Sequence, residues 1–271
     1  MSLILCRMEP VKHPFEVPEL GVKLYSSQEL CYVIYENPLL VMDDFVDYRL
    51  IQFIQEDLGM EFLARKLENW KKSGENPDNM LLLILSECPY YTAAEVTRYR
   101  QRLIQLRKKH PAEYWKEKAD LLAERKQYGK AIPLYEKLLE MDKDRVVDDL
   151  FRSRVWICLG ACQARMFQFE KACQSYEKAY ACNNQDKEIP EQIYYLKAFS
   201  PELTLSQRCQ DMLEDADQEA WEAKIAVARK KGQGSEAVKE LDELFTKDPV
   251  KRLAGAAAMV QQWKQEYRNM I

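Results

Sequence analysis

Cysteine and histidine are the residues of widest chemical reach in this chain, which carries eight of the first and two of the second. Thiolates and imidazoles are the ligands of zinc, and a cysteine beside a histidine makes a nucleophile–base pair. The cysteines are Cys6, Cys31, Cys88, Cys158, Cys162, Cys173, Cys182 and Cys209; the histidines are His13 and His110. No Cys-x-x-Cys occurs. Cys158 and Cys162, four apart, share a face of any helix that carries them and could take a metal with Cys173. A tetrahedral site needs further nitrogen or sulfur ligands, which the neighbouring sequence does not offer. The plainer expectation is reduced thiols packed as small apolar residues, with no metal and no cofactor. His13 falls in an arm punctuated by Pro10, Pro14 and Pro18. His110 ends a basic run, where a cation suits the carboxyl end of a helix. With no Ser or Cys motif beside either, the chain reads as a non-enzyme.

A second chemistry is electrostatic. Between Thr92 and His110 stand Arg98, Arg100, Arg102, Arg107, Lys108 and Lys109 against one acid, Glu95, with Tyr99 interleaved. Basic residues around an aromatic can grip nucleic acid. The competing reading is that three of these charges fall in a last helical turn, where they complement the helix dipole. Net charge is −4, so nothing global favours a polyanionic partner.

These residues need elements to hold them. Composition, with 47% hydrophobic and 31% charged residues, is that of a globular chain and not a disordered one. Only eight glycines occur, which suits helices better than turn-rich sheets. The run from Leu253 to Val260 is too short to span a bilayer, and Met1 to Met8 does not read as a signal peptide. A soluble, cytoplasmic, all-α chain is expected.

Trp115, Trp156 and Trp221 each have an alanine sixteen residues on (Ala131, Ala172, Ala237), and a large side chain four beyond it (Tyr135, Tyr176, Leu241). In the first unit Trp115, Ala119 and Leu122 form one apolar stripe, Lys126-Gln127-Tyr128-Gly129 breaks it, and Ala131, Leu134, Tyr135, Leu138 and Leu139 form the next. The small alanine predicts close backbone approach between the two helices. The second unit runs through Trp156, Leu159, Gly160, a break at 166–169, Ala172, Tyr176 and Ala179; the third through Trp221, Ile225, Ala228, Gly232-Gln233-Gly234, Ala237, Leu241, Leu244 and Pro249. A period in the mid-thirties built this way signals stacked helical hairpins. It resembles the tetratricopeptide repeat family, whose pattern of Trp, Leu-Gly, a large residue, Ala, an aromatic, Ala and a closing Pro each unit matches in part. Lys118-Ala119 and Lys224-Ile225 depart from Leu-Gly, and only the last unit has the proline.

The resemblance implies a right-handed hairpin solenoid over 92–271, with repeats at about 112–145, 153–186 and 218–251, a degenerate helical pair at 187–217, and a helix at 252–271 covering the exposed end. Residues 1–91 form an additional helical region of no recognised family. In it, Pro38 ends a helix begun at Ser26, Gly59 separates Phe45–Leu58 from Met60–Trp70, and residues 1–25 form a hairpin or an extended arm. The expected work is non-catalytic protein–protein interaction, as an adaptor or assembly scaffold holding a peptide or helix of another protein. By resemblance the first helix of each hairpin lines a concave groove. Its residues would be Glu113, Lys116, Asp120 and Glu124; Arg154, Ile157, Ala161 and Arg165; and Glu219, Glu222, Ala226 and Arg229. Family members that clamp the terminal carboxylate of chaperones use asparagines where this chain has Asp120 and Ala161. An aspartate repels a carboxylate, which argues against that ligand. The alternative is a nucleic-acid-associated or regulatory protein using the basic segment 92–110.

Overall fold

A computed structural model describes residues 11–214, 218–246 and 248–271. Most of the chain is helical, with fifteen helices and one two-stranded hairpin among the described residues. It divides into two compact units, one ending at Lys118 and one running from Ala119 to Ile271.

The first unit begins with antiparallel strands β1 (Phe15–Val17) and β2 (Val22–Leu24), so the arm is a hairpin from residue 15. Gly21 closes its turn at φ 63°, in the left-handed region that glycine enters without steric cost. Residues 1–10 of the expected arm lie outside the described residues. Six helices follow: α1 (Ser27–Glu36), α2 (Pro38–Val41), α3 (Tyr48–Glu56), α4 (Glu61–Ser73), α5 (Asp78–Glu87) and α6 (Ala93–Lys108). The predicted boundaries at Pro38 and Gly59 are real breaks: Pro38 opens α2, and Gly59 sits at φ 67° between α3 and α4. The apolar run 80–85 forms α5, whose Met80, Leu81, Leu82, Ile84 and Leu85 are all buried. Thr92 caps α6 in a reciprocal capping box with Glu95. Val96, Tyr99, Leu103 and Leu106 of α6 belong to the same core as α1, α3 and α5. Thus α6 and Tyr114, expected at the head of the array, pack with the amino-terminal core, and the division falls at 118/119 within α7 (Pro111–Glu124) instead of at 91/92.

In the second unit, α7 turns into α8 (Tyr128–Leu139), and α9 (Asp149–Arg165) turns into α10 (Phe169–Cys182). The two turns are built alike. Lys126 and Phe167 take left-handed conformations at φ 61° and 60°. The following amides, of Gln127 and Gln168, donate five residues back to Leu122 O and Gln163 O at 2.8 and 2.9 Å. This helix-ending bond pair normally employs glycine at the left-handed position. Replacing Lys126 or Phe167 by glycine is therefore expected to stabilise the protein by about 1 kcal/mol each, the left-handed penalty of a non-glycine residue. Urea melts of the single and double variants measure it.

The predicted alanine seats are occupied as expected in these two hairpins. Ala119, Ala131, Ala172 and Ala179 have no exposed surface, and Tyr135 and Tyr176 lie beside them at 1% and 2% exposure. Gly160 is required by close approach: a Cβ there would stand 2.9 Å from the Tyr176 ring. Helices α11 (Glu188–Phe199) and α12 (Gln207–Glu214) supply the degenerate pair, of which 215–217 lie outside the described residues. Ile189, Ile193, Leu196, Cys209, Met212 and Leu213 join Ala172, Cys173 and Tyr176 in one core.

The third expected hairpin does not close. Helix α13 (Gln218–Gln233) buries no residue, and α14 (Glu236–Thr246) buries only Leu244. Gly234 and Ser235 alone separate them, with Gly234 N donating to Lys230 O and Lys239 N to Ser235 O. The helical ladder thus runs almost through the glycines, and Ala228 and Ala237 are exposed. The closing helix α15 (Pro249–Met270) is also not the expected cover, because none of its residues is buried and Leu253 is 75% exposed. It is held at its ends. Leu244 packs where a Gly255 Cβ would stand, and the Gln127 side-chain Nε2 donates to Asn269 O at 2.8 Å, with the Ile271 backbone against Gly129.

Candidate partner-binding surface

Helix α9 carries the best-formed stripe of the predicted site. Asp148 caps its start by accepting from the Phe151 amide at 2.7 Å. Its apolar side is consumed by Val155, Leu159, Cys162 and the Gly160 contact. The opposite positions, Arg154, Ile157, Ala161 and Arg165, fall at helical spacing on one face, with both arginines and Ala161 exposed and Ile157 half-buried. Arginines about 16 Å apart along the helix thus bracket a small apolar centre. This suits a segment with apolar contacts in its middle and acids at its ends.

The other predicted residues are distributed less evenly. Glu113 and Lys116 belong to the first unit, Glu113 exposed and Lys116 half-buried. Asp120 accepts a 2.7 Å hydrogen bond from the Tyr135 hydroxyl, so one of its oxygens is engaged inside the hairpin. Burial, followed by that bond, pushes the Tyr135 phenol up. Glu124 is exposed. Glu219, Glu222, Ala226 and Arg229 are exposed along α13, on the hairpin that stays open.

The described cysteines do not gather as a metal set. Burial, then Cys158 and Asp120, pushes the Cys162 thiol up to about 12. Cys173 lies instead against Cys209, Sγ to Sγ 3.5 Å. Among the described residues no cluster of three or more His, Cys, Asp or Glu could hold a metal ion. The His110 Nδ1 accepts from the Ala112 amide at 3.2 Å, at the opening of α7.

The basic segment is also changed by its surroundings. Tyr99, the aromatic that would stack on a base, is 1% exposed, and its hydroxyl is buried without a hydrogen-bond partner among the described residues. Arg107 is taken up in a network that sequence reading missed. Its guanidinium contacts Asp78 twice, at 2.8 and 3.1 Å, and Asp43 at 2.7 Å. Tyr114 donates to Asp43 at 3.3 Å. The Asp78 bond leads the effects that hold the Arg107 charge firmly on. Lys109 pairs with Glu117, and Arg98 lies 3.9 Å from Glu95. Arg100, Arg102 and Lys108 are exposed.

No protein-family model matches the chain, and neither the curated proteins nor the solved structures give a match. Among the described residues no helix is long and apolar enough to cross a membrane.

Proposed function

We propose that this chain is a non-catalytic protein-interaction module, an adaptor or assembly scaffold. It holds a peptide segment or helix of a partner on the first-helix faces of its tetratricopeptide-like hairpins. The observation that carries the reading is the α9 stripe, Arg154-Ile157-Ala161-Arg165, presented on a helix whose other side is packed around Gly160. A helix anchored this way offers its exposed side chains at little further ordering cost, which favours binding. The charges at its two ends would orient the partner, and the apolar centre would supply contact. A free chaperone carboxylate is disfavoured, since Asp120 is an acid where that ligand needs a neutral or basic donor. Nucleic acid is disfavoured by the burial of Tyr99 and the pairing of Arg107.

Affinity capture from native cytoplasmic lysate tests the reading, comparing wild type with a Lys116→Glu, Arg154→Glu, Arg165→Glu variant of matched circular dichroism and melting point. A protein recovered by wild type should be depleted at least about tenfold by the variant, the effect of reversing two or three contact charges. Equal recovery by the folded variant would remove the site from these residues. Capture of nucleic acid, with a steep loss on adding salt, would restore the basic helix as the surface.

A further inference from the structure

Cys173 and Cys209 are on different helices, α10 and α12, yet their sulfurs stand 3.5 Å apart, close to van der Waals contact. Cys209 has no exposed surface and Cys173 has 6%. A third group completes the cluster: the Glu177 carboxylate, one turn beyond Cys173 on α10, accepts from the Cys209 thiol at 3.1 Å and from the Ser206 hydroxyl. The bland account of buried thiols, small apolar filling, explains neither the sulfur–sulfur contact nor a carboxylate directed at one of them.

We propose that Cys173 and Cys209 form an oxidisable dithiol site, closed by a hydrogen-peroxide-class oxidant into a disulfide joining α10 to α12. Cys173 is the attacking sulfur. It is the more accessible of the two, while the contact with Cys173, burial and Glu177 push the Cys209 thiol up, so that Cys209 keeps its proton. The Cys173 thiolate attacks one peroxide oxygen and the O–O bond breaks, giving a sulfenic acid and hydroxide, which takes a proton to become water. Cys209 then attacks the Cys173 sulfur as its proton passes to Glu177. The S–O bond breaks, and the departing hydroxide takes that proton as a second water. Two thiols are oxidised and one peroxide is reduced to two waters.

Entry requires α12 to open locally. It has eight residues and is held through Cys209, Met212 and Leu213, so it belongs to the kind of short, lightly packed element that opens readily. Closing the bond pins α12, and with it the start of the stretch leading to α13–α15. The oxidised state therefore differs from the reduced one in how firmly the open hairpin is tethered.

The test treats reduced, folded full-length protein with stoichiometric hydrogen peroxide, quenches with an alkylating agent and maps tryptic peptides by mass. The expected result is one predominant linked pair, Cys173 with Cys209, two hydrogens lighter than the free peptides and reversed by dithiothreitol. A Tm rise of roughly 5–10 °C should accompany the closure of so long a loop. Cys173→Ser and Cys209→Ser should abolish both, Cys158→Ser neither, and Glu177→Gln should slow closure at least about tenfold. The proposal is overturned if folded wild type gives no linked peptide, if the two cysteines overoxidise separately, or if the urea-unfolded chain forms the link as fast as the folded one. An unchanged rate in Glu177→Gln would overturn the assignment of Glu177 as proton acceptor. The wild-type mapping decides the site even where a serine variant fails to fold.

Discussion

Replacing Tyr176 by alanine is expected to cost about 3–5 kcal/mol, the range for truncating a large buried aromatic. The ring is 2% exposed, and it fills the space beside Gly160 where no Cβ fits. Ala172, Cys173, Ala179, Ile189 and Ile193 belong to the same core, so the cavity would open within it. Such a site collapses poorly, because the surrounding helices are already at their closest approach. Tyr176→Phe should cost far less, since among the described residues no hydrogen bond of the hydroxyl accounts for its place. In the other hairpin the order is different: Tyr135→Phe forfeits the bond to Asp120, at about 1–2 kcal/mol. Guanidinium-chloride unfolding of the four variants, Tyr135 and Tyr176 each to Ala and Phe, checks both magnitudes. Equal small losses for both alanine variants would mean that the tyrosines are not the keystones of the hairpins.

The second large effect is predicted at Arg107. Arg107→Met should destabilise the protein by about 2–3 kcal/mol, below the usual cost of breaking a buried ion pair because the Arg107 side chain is 38% exposed. What remains costly is Asp78, whose side chain is only 8% exposed and would be left charged without its bidentate partner. The same reasoning gives the control. Arg107→Met combined with Asp78→Asn should recover at least half the loss, since the orphaned charge is gone. Arg107→Lys should recover little, because an ammonium cannot present two donors to Asp78 while reaching Asp43. If the double variant is no more stable than Arg107→Met, the penalty lies in lost packing of the arginine stem and not in charge.

These two sites differ in how visible they were before any coordinates. Ala172 and Tyr176 are neighbours on one helix, and their separation from Trp156 repeats in two other units, so periodicity exposes the packing. Arg107, Asp78 and Asp43 obey no period. They meet because α5 and α6 pack on one core, and their separation of 29 residues or more leaves no local trace. The contact of His110 with the Ala112 amide was hidden for a related reason: the basic run before it was legible, but the contact depends on α7 opening at Pro111. The third unit is the most instructive departure. A turn was expected at its glycines, yet the turns that form place Lys126 and Phe167 in the left-handed region, and Gly232, at the matching position, is not there. Glycine permits a turn; the five-residue-back hydrogen bonds at Leu122 and Gln163 impose one. Of the predicted binding residues, the α9 stripe came from the tetratricopeptide resemblance, which names the first-helix face of each hairpin, and the four fall on one face of α9. The engagement of Asp120 by Tyr135 was not legible, because it depends on which way two helices face.

The link between Gln127 and Asn269 joins positions 142 residues apart, whereas the hairpins close within some twenty. Loop-closure entropy must be met before such a contact returns anything, so it belongs late on the route from the disordered chain. The second unit should therefore assemble its paired helices quickly and seat its last residues afterwards. Removing the Gln127 amide would then leave the refolding rate nearly untouched while hastening unfolding, the kinetic mark of an interaction absent from the transition state.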